Sequence, residues 1–454
     1  METATLITVV LVIVLALFFD FTNGFHDTAN AMATPIATGA LKPKTAVLLA
    51  AALNLVGAFL STEVAKTISG GIIYEDQISE SVFPAVILAG LIGAITWNML
   101  TWLLGLPSSS SHALFGGLIG ATIVGVGFSA VNFGVVMSKV ILPALIAPVT
   151  AGIIAFTVTK LAYVLTRRYD SKPDGRDGFR VGQIFTSSLV ALAHGTNDAQ
   201  KTMGIITLLL ITVGLQDHPE PEFWVIFACA FTIALGTYMG GWRIIRTLGK
   251  GLTEVKPAQG FAAESSTAST ILASSALGFA LSTTQVASGS VIGSGLGRRG
   301  SQVRWRTAGR IMVGWILTLP AAGGVGALAA LVVTWLGFWG IVIDSALAAA
   351  VILAIFVRSR RNEVTASNAM SEVAESGRAV KVKRNPPPTR RQRAIAREEA
   401  RREAAAAAAA KRAAKADKAA KAGKGAPAGG PAATGVTEKP TKQSPSRSTD
   451  GGAR

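Results

Sequence analysis

Long apolar segments alternate with short polar ones over the first 357 residues of the chain. A helix needs about 20 apolar residues to span a bilayer, and eleven segments come close to or exceed that length. They cover residues 4–32, 45–62, 83–105, 112–130, 135–166, 183–214, 223–242, 262–281, 285–297, 311–336 and 339–357. The pieces around 105–130 and 280–297 are short or interrupted, which is typical of re-entrant hairpins. The pattern predicts an all-α integral membrane protein with about 10–12 transmembrane helices.

The composition supports a membrane protein. Half of the 454 residues are hydrophobic and 15% are charged, whereas soluble domains carry roughly 25% charged residues. The mean hydropathy is +0.46. The net charge of +17 is unevenly placed, because residues 1–357 contribute +3 and residues 358–454 contribute +14. The basic excess therefore belongs to the tail. The single cysteine, Cys229, excludes an intrachain disulfide and a cysteine-based metal site.

Charged loops predict the orientation. No Lys or Arg precedes the first segment, so we expect a retained helix and not a cleaved signal peptide. Basic loops hold Lys42–Lys44, Arg167–Arg180, Arg243–Lys256, Arg298–Arg310 and Arg358–Arg361, and acidic loops hold Glu63–Glu80 and Asp217–Glu222. By the positive-inside rule, the N-terminus is predicted outside and the C-terminal tail in the cytoplasm. The expected location is the cell (inner) membrane, crossed several times.

One polar motif occurs twice inside apolar segments. Asn23-Gly-Phe-His-Asp-Thr-Ala-Asn-Ala31 is echoed by His194-Gly-Thr-Asn-Asp-Ala-Gln-Lys-Thr-Met203, with Asp27 matching Asp198. Charged groups at membrane depth cost a few kcal/mol or more, so they usually face a cavity and mark a substrate or ion path. Two copies predict one site shared by two related halves.

A second polar stretch is also duplicated. Ser108-Ser109-Ser110-Ser111-His112 with Gly116 and Gly120 matches Ser282-Thr283-Thr284-Gln285 with Gly289 and Gly293, and Leu142-Pro143-Ala144 is expected to match Leu319-Pro320-Ala321. The first copy starts outside and the second inside, so the repeat is predicted to be inverted. Inverted repeats with interrupted polar segments are typical of secondary transporters that bind substrate near the midplane.

Four regions follow from these patterns. They are a first transmembrane repeat (1–166), a basic cytoplasmic loop (167–181), a second repeat with the final helices (182–357) and a basic, mostly disordered cytoplasmic tail (358–454). The tail is rich in Ala, Lys, Arg and Pro, and residues 390–424 could form a basic helix. A solvated tail is favoured, attraction to anionic lipid headgroups is the alternative, and RNA binding has no motif behind it.

The two Ser/Thr clusters are candidate anion ligands. Each precedes a predicted helix, whose free N–H groups and dipole bind anions. Such residues also serve as N-caps or packing residues, but their matched positions favour binding. The candidate anion ligands are Ser109, Ser110, Ser111, Ser282, Thr283, Thr284, Asn30, Asn197 and Lys201.

The two Asp motifs suit a cation or a proton. Carboxylate and carboxamide oxygens bind hard cations, and imidazoles titrate near neutral pH, although a satisfied interhelical hydrogen bond is an equal alternative for each His. Candidates for coupling are Asp27, Asp198, His26, His112 and Gln285, with carboxamides from Asn30 and Asn197. Lys201 could neutralise Asp198, contact the anion or snorkel to an interface.

Other patterns carry less information. Gly295-Leu-Gly-Arg-Arg-Gly300 fits GxGxxG by spelling, but it follows no strand and lies at a membrane boundary. No nucleophile elbow, Walker loop or HExxH sequence occurs, so an enzyme is not expected. Asp20 and Asp344 lie in apolar segments without repeat partners, and a structural role is favoured for both.

The motifs resemble those of the PiT family of inorganic phosphate transporters. The resemblance rests on Asn23–Ala31, His194–Lys201, the Ser/Thr clusters with their glycines, and Gly260-Phe-Ala-Ala-Glu264, and it covers about residues 1–357. It implies an inverted-repeat transporter that moves phosphate with Na⁺ or H⁺ through these motifs. Phe25-His26-Asp27 resembles the bacterial low-affinity branch, which implies proton symport, often of a metal–phosphate complex. The chain departs from the family in carrying Gln285 and Ser108–Ser111.

The expected function is therefore import of inorganic phosphate, alone or as a metal–phosphate complex, by proton symport with alternating access. Na⁺ coupling and sulfate transport on the same scaffold remain alternatives, as does a phosphate-sensing scaffold that acts through the tail. No cofactor is expected beyond the co-transported H⁺ or Na⁺, and no resident metal. The expected partners are inorganic phosphate and membrane lipids, a homodimer is left open, and no nucleic-acid partner is expected.

Overall fold

The computed structural model describes residues 3–69, 71–74, 78–79, 82–166, 174–361 and 364–366. Within these ranges the chain is helical, with two isolated β-bridges and no strand. The first half contains α1 (Thr3–Thr38), α2 (Pro43–Ala58), α3 (Glu63–Ser69), α4 (Phe83–Leu104), α5 (Ser110–Gly125), α6 (Phe133–Val135) and α7 (Leu142–Leu165). The second contains α8 (Asp174–Thr212), α9 (Phe223–Met239), α10 (Trp242–Gly251), α11 (Pro257–Ala276), α12 (Thr283–Gly297), α13 (Trp305–Leu336) and α14 (Phe338–Arg360). A 3₁₀ turn covers Phe128–Ala130, and a π-helical stretch, Val136–Ile141, joins α6 to α7.

Five helices among the described residues are long and apolar enough to cross a membrane. They are α1 from Thr5, α4, the continuous span Phe133–Leu165, α13 and α14. The pair of α9 and α10, bent by 66°, would make a sixth. The predicted all-helical fold with several apolar spans is confirmed. The figure of 10–12 crossings stays a prediction, because α2 and α5 are short and α8 carries the polar motif around Asp198.

One helix boundary differs from the sequence prediction, and two short helices were not predicted. α8 begins at Asp174 and not at 183, and α3 and α10 lie in segments read as loops. Both short helices carry charges, as Arg243 and Arg246 in α10 show, so hydropathy alone misses them. Of the predicted cytoplasmic loop, residues 167–173 lie outside the described residues, as do residues 362–363 and 367–454 of the predicted tail.

Glycines bring the two motif helices against short partners in the opposite half. A Cβ placed on Gly24 of α1 would lie 2.3 Å from the carbonyl oxygen of Ile233 in α9. A Cβ on Gly195 of α8 would lie 2.3 Å from the carbonyl oxygen of Asn54 in α2. Small residues let membrane helices approach this closely. Asp27 and Asp198 are therefore carried by helices that are packed in matching ways.

The two helices that follow the Ser/Thr clusters also pack across the halves. A Cβ on Gly120 of α5 would lie 2.0 Å from the carbonyl oxygen of Gly323 in α13. A Cβ on Gly293 of α12 would lie 2.0 Å from the carbonyl oxygen of Gly152 in α7. Helix α5 of the first half is therefore held by α13 of the second half, and α12 of the second half by α7 of the first.

These contacts correct one predicted alignment. Gly116 approaches the carbonyl oxygen of Leu319, and its match Gly289 approaches that of Pro148. The position that matches Leu319 is thus Pro148 and not Leu142, which lies six residues, or about 1.7 helical turns, earlier. The shared Leu-Pro-Ala sequence suggested the wrong alignment of the two halves, because membrane-spanning helices tolerate proline at more than one position.

Candidate functional site

The two Asp motifs meet in the interior of the helical bundle. Asp27 lies in α1 and Asp198 in α8, and both side chains are buried. The N-termini of α5 and α12 point at the same place, because hydroxyls of Ser110 and Thr283 reach these carboxylates. Residues that are far apart in sequence thus form one polar cluster in an apolar surrounding.

Asp27 accepts hydrogen bonds from both halves. Ser110 Oγ donates to Oδ2 at 2.9 Å, and Thr284 Oγ1 donates to Oδ1 at 3.2 Å. His26 Nδ1 lies 2.7 Å from Oδ1. The other ring nitrogen of His26 lies 3.4 Å from Ser108 Oγ and from Thr101 Oγ1. Asp27 is therefore held by hydroxyls from the first turns of α5 and α12 and by its chain neighbour His26.

Asp198 has a different environment. Lys201 Nζ donates to its Oδ1, and Asn197 Nδ2 donates to the same oxygen at 2.7 Å. His194 Nε2 lies 3.0 Å from Oδ2. Lys201 is fully buried. A buried charge is tolerated when it is paired and hydrogen-bonded, and Asp198 and Lys201 satisfy this requirement for each other.

Thr283 links the two carboxylates. Its Oγ1 lies 3.3 Å from Asp27 Oδ2 and 3.2 Å from Asp198 Oδ2. A hydroxyl has one proton to donate, so it can serve only one carboxylate at a time. His194 Nε2, at 4.0 Å from Asp27 Oδ2, completes a group in which Asp27, His194 and Asp198 each offer one ligand atom within 4.8 Å of the others. This spacing would fit a metal ion or another small cation.

Helices α5 and α12 begin alike. Ser109 Oγ accepts a hydrogen bond from the backbone N–H of His112 at 3.2 Å, and Ser282 Oγ accepts one from that of Gln285 at 3.4 Å. Both serines are therefore N-caps. Each helix keeps the remaining N–H groups of its first turn and the positive end of its dipole facing the cluster. Two such helix ends direct positive potential at the same cluster.

His112 and Gln285 lie one turn deeper along these helices. Their side chains hydrogen-bond to each other, with Gln285 Nε2 3.3 Å from His112 Nδ1. Among the described contacts, neither side chain reaches Asp27 or Asp198. Both line a lateral cavity of about 650 Å³ whose other walls are apolar residues of α7, α12 and α13. The structure thus separates these two coupling candidates from the carboxylates.

The carboxamides hold the cluster together. Asn30 Nδ2 donates to Thr284 Oγ1 at 3.0 Å, and Asn197 Nδ2 donates to the carbonyl oxygen of Leu281 at 3.0 Å. Ser111 Oγ donates to the same carbonyl at 3.3 Å. The remaining predicted ligands are therefore brought into the cluster with the two Asp residues.

Sequence reasoning missed several members of the site. His194 stands four residues before Asp198, which places both on one helix face, and this spacing could have identified it. Asn54 Oδ1 lies 3.2 Å from His194 Nδ1, and Asn54 Nδ2 donates to Thr237 Oγ1 at 2.7 Å. The carbonyl of Leu281 is a backbone group, so no residue type in the sequence signals it.

Three further buried acids lie outside the cluster. Asp20 accepts a hydrogen bond from Thr202 at 3.1 Å, and its second oxygen has no partner among the described residues. Asp344 is buried in α14, and its Oδ2 has no partner there either. Glu264 is bound by three side chains from α1 and α8, namely Thr34 at 2.5 Å, Thr186 at 2.7 Å and Gln183 at 3.0 Å. Glu264 thus fixes α11 to the two motif helices.

Comparison with known proteins places this site in a family context. A family model described as "Phosphate transporter family" matches residues 23–326. A protein from Mycobacterium leprae (strain TN), named "Probable low-affinity inorganic phosphate transporter", is 55% identical over 364 residues, which are 79% of this chain and 86% of that protein. A protein of the same name from Bacillus subtilis (strain 168) is 42% identical over 325 residues, 71% of this chain and 96% of that protein.

A solved structure has the same fold. The structure titled "The sodium-dependent phosphate transporter" superposes with a TM-score of 0.65 at 24% identity, covering 72% of this chain and 99% of that chain. The relatives described above are named as transporters and not as enzymes, in agreement with the absence of enzyme motifs from the sequence.

Proposed function

From the premise that this chain belongs to the phosphate transporter family, we propose that it carries inorganic phosphate across the cell membrane by ion-coupled symport. The observation that supports this most is the meeting of two helix N-termini, each with hydroxyl side chains, at one buried pair of carboxylates. Helix N-termini attract an anion, and carboxylates hold a cation or proton. One site can therefore bind both partners of a symport.

The anion is proposed to lie between the two re-entrant helices. Backbone N–H groups at the starts of α5 and α12 and six hydroxyls would donate to its oxygens. These hydroxyls belong to Ser109, Ser110, Ser111, Ser282, Thr283 and Thr284. Asn30 and Asn197 supply amide donors, and Lys201 supplies charge. A tetrahedral oxyanion with several acceptors matches this number of donors.

A proton is the proposed coupling ion. Asp27 is in contact with His26 at 2.7 Å, so the pair offers two sites between which a proton can move. When Asp27 is protonated, it no longer repels the anion and can donate a hydrogen bond to it. His112 and Gln285 contact each other one helical turn away. They are proposed to assist proton coupling indirectly, without touching Asp27 or Asp198.

Two other kinds of cation fit the carboxylates of Asp27 and Asp198. The structural neighbour is named as sodium-dependent, and Asp27, His194 and Asp198 are spaced for a metal ion. Na⁺ coupling, or a divalent metal carried together with phosphate, is therefore the alternative. Hard cations favour such oxygen ligands.

Alternating access between inverted repeats is the proposed mechanism. α5 packs against α13, and α12 packs against α7, at matched glycines. Rocking of one group of helices against the other would open the site to each side in turn. The proposed orientation has the N-terminus outside and the C-terminal tail in the cytoplasm, in accordance with the basic loops.

Uptake of labelled phosphate into proteoliposomes tests the proposal. An inward proton gradient and an inward Na⁺ gradient should be imposed separately. We expect the proton gradient to drive uptake, and excess unlabelled phosphate, but not sulfate, to compete with it. Uptake that is indifferent to both gradients would refute symport, and competition by sulfate would widen the substrate class.

A further inference from the structure

Lys201 is held as a metal cation would be held. Its side chain is completely buried in α8. Its Nζ donates to Ser111 Oγ at 2.6 Å, to the carbonyl oxygen of Leu281 at 3.1 Å and to Asp198 Oδ1. A hydroxyl, a backbone carbonyl and a carboxylate are the oxygen types that bind hard cations. An ammonium has three protons to donate, and these three oxygens accept all of them.

The other half makes the same contact without a charge. Lys201 follows Asp198 by three residues, as Asn30 follows Asp27, and Ser111 matches Thr284 in the re-entrant helices. Asn30 Nδ2 donates to Thr284 Oγ1 at 3.0 Å, just as Lys201 donates to Ser111. A carboxamide therefore stands where the second half has an ammonium.

Oxygens around Asp27 are left with fewer donors. Asn30 is 8% exposed, and its Oδ1 has no hydrogen-bond partner among the described residues. No Lys or Arg side chain contacts Asp27 in the part of the chain that the structure describes. Two carboxylates and one ammonium leave the cluster with a net charge of −1 when both histidines are neutral. One cation taken from solution would balance that charge.

We propose that Lys201 is a tethered cation that permanently fills the second half's coupling position, leaving only the position at Asp27 for an ion from solution. This inference rests on the proposed transport function. It makes Lys201 a residue that sets coupling stoichiometry: each transported anion takes one coupling cation fewer than it would if both halves carried Asn at this position.

The substitution Lys201→Asn tests this directly, because it gives the second half the residue that the first half has at the matching position, Asn30. Thermal unfolding of the purified full-length chain is measured in NaCl and in choline chloride at equal ionic strength. Binding to the folded state stabilises it, so Na⁺ should raise the Tm of Lys201→Asn by at least about 2 °C more than that of the wild type. The double substitution Asp198→Asn/Lys201→Asn should lose this response, since the carboxylate ligand is gone.

Transport gives the second measurement. With the proton gradient held constant, Na⁺ should stimulate phosphate uptake by Lys201→Asn about tenfold and uptake by the wild type less than about twofold. The reason is that the vacated cation position in the variant must be filled by Na⁺ before the transport-competent conformation forms. Lys160→Asn is the matched control, because Lys160 is an exposed lysine in membrane helix α7. It should behave as the wild type in both assays.

Several outcomes would overturn the inference. They are a Lys201→Asn protein that Na⁺ does not stabilise, including one that fails to fold in either salt, and a sodium response that survives in the double variant. Failure of the wild type to transport phosphate would instead refute the proposed function. The stability measurement does not depend on transport, so the two failures can be told apart.

Discussion

The close approach of α5 to α13 allows a quantitative test of the cross-packing. In Gly120→Ala, the new Cβ would lie 2.0 Å from the carbonyl oxygen of Gly323, whereas ordinary contacts begin at 3.4 Å. The helices must therefore separate by more than 1 Å. Overpacking of this kind costs about 1–3 kcal/mol, and the better helix propensity of Ala returns about 1 kcal/mol. We expect a net loss of up to about 2 kcal/mol, or up to roughly 3 °C in Tm for a chain of this size.

Gly293→Ala should cost the same, because its Cβ would meet the carbonyl oxygen of Gly152 at the same 2.0 Å. Gly324→Ala is the control within α13, where nothing lies within 4 Å of the new Cβ. It should unfold at or slightly above the wild-type temperature. The assay is thermal unfolding in detergent, followed by intrinsic fluorescence. Equal Tm values for Gly120→Ala and Gly324→Ala would refute the close packing.

Three further predictions concern the site and the tail. Asp27→Asn should reduce phosphate uptake at least about tenfold, since the carboxylate accepts three hydrogen bonds that an amide cannot all accept. Asp217→Asn, outside the helices, is the control. A wild-type uptake rate in Asp27→Asn would contradict the role assigned to Asp27. Ser110→Ala removes a hydroxyl that is proposed to donate to the anion. A hydrogen bond to a charged group contributes about 1.5–3 kcal/mol, so the half-saturating phosphate concentration should rise at least about tenfold. Ser138→Ala is the control, because the described contacts of its hydroxyl lie within its own helical span, and it should leave that concentration unchanged. Ending the chain after Arg361 should leave the uptake rate unchanged, because every proposed site residue precedes it; slower uptake would give the tail a part in transport.

Hydropathy and motif spacing predicted much of the fold. Apolar segments located most of the helices, and the duplicated motifs indicated the family, which the comparisons confirm. Helix α10 was missed because it is amphipathic: Ile244, Ile245 and Leu248 are buried on one face, and Arg243 and Arg246 lower the mean hydropathy of the segment. The Pro143–Pro320 alignment was wrong because the glycine contacts, and not the prolines, fix the register between helices.

The site was harder to predict in detail. Spacing identified Asp27, Asp198 and the hydroxyl clusters as candidates, and the structure brings them together. Motif spacing could not show that His112 and Gln285 hydrogen-bond to each other. Their separation from the carboxylates depends on where α5 and α12 begin relative to Asp27 and Asp198, and the sequence does not give that position. Motif spacing also could not identify Leu281 as part of the site. Its backbone carbonyl oxygen accepts hydrogen bonds from Asn197 and Lys201, and any residue would provide such an oxygen.

The exchange of helices between the halves has a consequence for biosynthesis. Helix α5 emerges from the ribosome long before α13, so the contact between Gly120 and Gly323 cannot form until α13 has been synthesised. At synthesis rates of about 5–20 residues per second, the intervening 200 or so residues take roughly 10–40 s to make. Throughout that interval the first half carries an incomplete packing surface in the membrane. We therefore expect separately expressed halves to become stable only when they are made together.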